Sequence, residues 1–98
     1  MPDMDRVSDM EKKLKECELA TDGLERELER MRKIREDMIS LFGYYGSPEW
    51  YDDREGTLPE GTAAGVLSED SVYDLIARLR DAAFDMLETA TDILRNRL

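Results

Sequence analysis

The chain has 98 residues and a net charge of −10, from 14 basic and 24 acidic side chains, with no histidine and one cysteine. That length supports one domain at most, and that charge disfavours binding to a phosphate backbone or to an anionic membrane. A lone cysteine makes no internal disulfide, no apolar run approaches the roughly 18 residues of a membrane span, and the polar start MPDMDRVSDM is unlike a signal peptide, so a cytoplasmic protein is expected.

The mix of 41% apolar and 39% charged residues with 7% aromatic suits long amphipathic helices. The first segment carries a heptad. One register is Val7, Leu14, Thr21, Leu28, Arg35, Phe42, and the other is Met10, Cys17, Leu24, Met31, Met38, Tyr45. Steps of three and four give one apolar stripe, a coiled-coil-like seam on a helix over about 4–42. Cys17 on that seam is expected to act as a small buried hydrophobe. Asp3, Asp5 or Ser8 (with Glu11 as a capping box) can start the helix, and Gly43 reads as its stop. The TDG at 21–23 could mark a break, with Thr21 capping a second helix, because an interior glycine costs about 1 kcal/mol relative to alanine.

The connector, residues 43–67, is the densest acidic region. It has five acids against Arg54 alone, a net of −4, whereas residues 1–42 and 68–98 each carry −3. It also holds Tyr44, Tyr45, Tyr51 and the only tryptophan, Trp50. Ser47 as N-cap, Pro48 at the first helical position and Gly56 after the end predict a short helix over about 48–55. Leu58, held before Pro59, favours extended geometry.

The last segment is predicted helical over about 68–97, with a heptad of Val72, Ile76, Leu79, Ala83, Met86, Ala90 and Ile93. Tyr73, Phe84, Leu87, Leu94 and Leu98 widen its apolar face. Ser68 reads as the N-cap, Glu69 and Asp70 complement the helix dipole, and Leu67 and Val72 sit where a hydrophobic staple would form. The architecture expected is all-α: a long antiparallel helical hairpin with a short helix in the connector. A two-helix hairpin hides one stripe of each helix, so pairing of two chains into a dimeric four-helix bundle is expected to supply the missing cover. A monomer whose connector folds back over the hairpin is the alternative.

Two motifs, YYGS-x-x-W at 44–50 and GVLSED-x-x-Y-D-L at 65–75, separated by an acidic patch and LP at 58–59, resemble a family of small bacterial proteins catalogued as domain of unknown function forty-two ninety-eight. The resemblance rests on the central third of the chain. In that family the piece before GVLSED is richer in basic residues, whereas this chain has Thr62, Ala63 and Ala64 there. The family name implies no activity.

Chemistry is sparsely supported. With no histidine, Ser–His and Cys–His pairs are excluded, and no catalytic residue, cofactor or metal site is assigned. Glu49, Asp52, Asp53 and Glu55 offer oxygen ligands suited to Mg²⁺ or Ca²⁺, but their spacing matches no calcium loop, and a solvated face is the simpler reading. The aromatic residues can seal the open end of a small bundle or present a binding surface, since tyrosine and tryptophan combine contact area with a polar handle. The function expected is therefore a non-enzymatic protein–protein interaction module. Its candidate partner-binding residues are Tyr44, Tyr45, Trp50, Asp52, Asp53, Glu55 and Tyr73, its partner a basic protein, and its assembly a homodimer. A small carboxylate- or metal-dependent enzyme, and an acidic decoy for a nucleic-acid-binding protein, are the alternatives.

Overall fold

The computed structural model describes residues 1–96. The protein is all-α: α1 (Met4–Lys33), α2 (Arg35–Tyr44), α3 (Pro48–Glu55), a 3-10 turn (Gly65–Leu67) and α4 (Ser71–Leu94) follow one another, with no strand among the described residues. They form two compact units, Met1–Met38 and Ile39–Leu98.

The first unit contains α1 and the start of α2. Asp3 caps α1 by accepting from the N–H groups of Asp5 and Arg6, both at 3.1 Å, which satisfies two of the free amides of the first turn. The helix passes through Thr21 and Gly23 without a break. The Thr21 hydroxyl donates to the Cys17 carbonyl one turn back at 2.7 Å, so it joins the helix instead of capping a new one. The interruption comes at Ile34, with φ −89 and ψ 2, which corrects the expectation of one regular helix over 4–42. It is a hitch in the ladder: Ile34 N–H still reaches Arg30 at 3.1 Å, and Met38 N–H still reaches Ile34 at 2.9 Å. No residue of α1 is buried, and Met10, Leu14 and Leu24 are each about half exposed (52%, 52% and 51%). Cys17 is exposed as well, contrary to the burial expected of it, because its unit places no second layer over the seam.

In the second unit α2 runs through Gly43 to Tyr44, so Gly43 is not the stop that the sequence suggested. The chain turns at Gly46, whose φ of +75 is a left-handed value that glycine adopts without a Cβ clash. Ser47 N–H then donates to the Tyr44 carbonyl at 2.9 Å. Ser47 caps α3 through Trp50 N–H at 3.3 Å, and Pro48 fills the first turn. Downstream, Thr62 N–H and hydroxyl both return to the Pro59 carbonyl (3.2 and 2.6 Å) around Gly61, whose φ is +82.

The start of α4 differs from the expected Ser68. Residues 65–67 tighten into the 3-10 turn, with Ser68 N–H bonded to the Gly65 carbonyl at 3.1 Å, and this leaves Ser68 extended at ψ 147. Its hydroxyl accepts from Ser71 N–H at 3.0 Å, so Ser68 organises the start from one turn upstream while Asp70 occupies the cap position. The helix ends at Leu94 because Asn96 takes a left-handed φ of 55, which asparagine tolerates. The end expected at residue 97 and the apolar role expected of Leu98 lie outside the described residues. The core is small: Trp50 and Val72 are buried at 3% and 4% exposure, with Val66, Leu67, Ile76 and Leu79 half-buried.

Two glycine substitutions should move stability in opposite directions. Gly46→Ala forces a left-handed Cβ and should lower urea-unfolding stability by about 1–2 kcal/mol. At Gly23 an added Cβ meets only the end of the Arg26 side chain at 3.9 Å, so Gly23→Ala should raise stability by roughly 0.5–1 kcal/mol.

Candidate functional site

The aromatic side chains of the connector converge because α3 is short and firmly capped. One helical turn separates Ser47 from Tyr51, and the cap at Ser47 sets the rotation that turns Trp50 inward and leaves Tyr51 53% exposed. Tyr45 lies edge-on to the indole with ring centroids 5.2 Å apart, and Tyr51 at 4.9 Å; the interplanar angles are 64° and 82°. Such T-shaped pairs place the positive edge of one ring against the negative face of another. The Arg54 guanidinium sits 5.2 Å from the Trp50 ring centroid, within cation–π reach.

The polar ends of these rings are used to bind the next segment. Trp50 Nε1 donates to the Val66 carbonyl at 2.9 Å, and the Tyr45 hydroxyl donates to the Glu69 carbonyl at 2.7 Å. Arg54 also bonds the Glu69 carboxylate at 2.9 Å. That pair is 38% and 70% exposed, so its contribution is at most about 1 kcal/mol and falls with salt. The YYGS-x-x-W and GVLSED motifs are therefore two halves of one contact. Sequence reading assigned Glu69 to the helix dipole and Arg54 to the neighbouring acids. Their mutual pairing is a contact across fifteen residues that no local spacing rule reveals.

The acidic residues separate into two kinds. Asp53 accepts from the Tyr44 hydroxyl at 2.6 Å, the short distance of a charge-assisted bond. That hydrogen bond, with some desolvation and the nearby Asp53 charge, pushes the Tyr44 phenol up to about 12. The Asp52 and Glu55 carboxylates are exposed and engage no hydrogen bond or ion pair among the described residues. Tyr73 is 64% exposed beside buried Val72. The described residues contain no group of three or more carboxylates or thiols gathered to hold a metal ion. None of their helices is long and apolar enough to cross a membrane.

The phenol shift has a defined sign. The fold favours neutral Tyr44, so this contribution to stability is complete below the ordinary tyrosine value of 10.0 and is lost as pH rises through about 12. In an alkaline ultraviolet titration, Tyr44→Phe should remove the ionisation near pH 12, and Asp53→Asn should move it down toward 10.0. The indole has a second test. Trp50→Ala should cost about 3–5 kcal/mol, and Trp50→Phe about 1–2 kcal/mol beyond any repacking, through loss of the bond to Val66. Amide exchange should accelerate across residues 44–72 in both variants while α1 stays unchanged.

No curated protein matches the chain significantly. A family model described as "Domain of unknown function (DUF4298)" matches residues 7–89, far beyond the two motifs and into both long helices. The protein belongs to the DUF4298 family.

Proposed function

We propose that the chain is a helical protein–protein interaction module of the cytoplasm that acts without catalysis. Its 98 residues serve as one functional domain. It self-associates as a homodimer with the helices of two chains pooled in a bundle, and it offers its acidic connector to a basic protein. The observation that carries this reading is the imbalance between core and exposed apolar surface. Among the described residues only Trp50 and Val72 are buried, whereas Phe84, Leu87 and Leu94 on α4 are 64%, 66% and 83% exposed and the α1 stripe is about half exposed. Apolar surface on this scale marks a contact surface, and a chain with so small a core gains stability from covering it.

The connector supplies the second contact. Trp50, Tyr44 and Tyr45 brace it from beneath through the contacts described above. Tyr51 and Tyr73 face outward with exposed Asp52 and Glu55. Outward tyrosines give rigid contact area at small entropic cost, and unpaired carboxylates on a chain of charge −10 speed encounter with a cationic surface. Trp50 thus contributes to recognition by shaping this surface.

Light scattering at micromolar concentration should give about twice the 11.3 kDa chain mass, and a clean monomer would remove the self-association half of the reading. Asp52→Asn combined with Glu55→Gln should leave the melting temperature unchanged. It should weaken capture of a basic protein from native lysate and reduce the salt sensitivity of that capture. Undiminished capture would remove the connector from the proposal.

A further inference from the structure

The exposed seam of α1 is flanked by charges in a regular order. With Val7 at position a and Met10 at position d, the flanking g positions hold Arg6, Lys13 and Glu27, and the e positions hold Glu11, Glu18 and Arg32. In a parallel, in-register pair, each g residue faces the e residue five positions on in the other helix. Arg6 then meets Glu11, Lys13 meets Glu18, and Glu27 meets Arg32, all of opposite sign; the fourth pair, Ala20 with Glu25, is neutral. With the same seam aligned antiparallel end to end, Glu18 meets its own copy and Glu11 meets Glu25. Lys13 with Glu27 is then the sole attractive flank pair.

We infer that α1 packs against α1 of a second copy parallel and in register along this seam, as the α1–α1 contact of the proposed dimer. This rests on the self-association proposed above and specifies its surface and polarity. α1 is 30 residues long, about 45 Å or roughly four heptads, which is enough for such a seam. The Thr21 hydroxyl is already bonded to the Cys17 carbonyl, so it enters the seam without an unsatisfied donor. Gly23 falls at an outward c position. The flank charges that now bond within the helix, Lys13 to Asp9 at 2.8 Å, Arg32 to Glu29 at 3.6 Å and Arg30 to Glu27 at 3.9 Å, do so as exposed pairs that exchange at little cost.

Cys17 reports the geometry. At a d position of a parallel, in-register pair it faces its own copy, near the roughly 4.4–6.8 Å Cα separation that a disulfide requires. In the antiparallel alignment it faces Thr21. Mild oxidation of the full-length protein with copper phenanthroline, which accepts the two electrons as two thiols lose their protons, should give a covalent dimer on a non-reducing gel. Moving the thiol to an outward position in Cys17→Ser with Ser8→Cys should abolish efficient cross-linking. Separately, Lys13→Glu should weaken dimerisation about tenfold, and adding Glu18→Lys should restore it. In the antiparallel alignment that second change restores nothing, because residue 13 then faces Glu27. A dimer by light scattering that shows neither the Cys17 cross-link nor the rescue overturns the parallel pairing and leaves self-association standing. A monomer at every concentration overturns both.

Discussion

The indole of Trp50 is the constraint on which the second unit depends. It is 3% exposed, two tyrosine edges and a guanidinium pack on it, and its one polar atom bonds the Val66 carbonyl. Burial of this ring therefore joins α3 to the 3-10 turn that precedes α4. Without strands to satisfy the connector's backbone, such side-chain bonds hold it in place. Ser47 acts on the same contact from a distance, because its cap sets the rotation of a helix only eight residues long.

The same arrangement divides the acidic surplus of the connector. Asp53 is engaged by Tyr44, and Arg54 turns away from its neighbouring acids to Glu69. What remains outward is Glu49, Asp52, Glu55 and Glu60, with Tyr51 and Tyr73 as exposed rings. The inner side of the connector uses its hydroxyl and indole donors to hold GVLSED, and its outer side leaves charge and ring area exposed.

The first unit obeys different physics. α1 has good local chemistry, with an aspartate cap, exposed i,i+3 and i,i+4 pairs and helix-forming residues, yet buries nothing. A helix stabilised in this way gains most of its remaining stability from packing its apolar stripe. Its flanking charges have the order that the proposed parallel pairing would use, and in that proposal whatever covers the seam stabilises the helix by mass action.

Much of this was legible from local grammar. Ser47, Pro48 and Gly56 mark the limits of α3, and the three–four spacing the apolar stripes, because caps, proline and helical periodicity act within a few residues; for α1 the sequence offered Asp3, Asp5 and Ser8, and the structure uses Asp3. Family membership was legible for the same reason, through two short motifs. Other features were not. The hitch at Ile34, the turn at Gly46 in place of Gly43, and the delay of α4 to Ser71 are choices among several locally acceptable sites. The bonds from Tyr45 to Glu69 and from Trp50 to Val66 span 24 and 16 residues, beyond any local rule. The sequence alone determined which segments are helical and which faces are apolar, since both follow from backbone propensity and side-chain period. Only the tertiary structure decided that the indole is an anchor and that Arg54 belongs to Glu69, because these depend on which distant groups meet when the second unit closes.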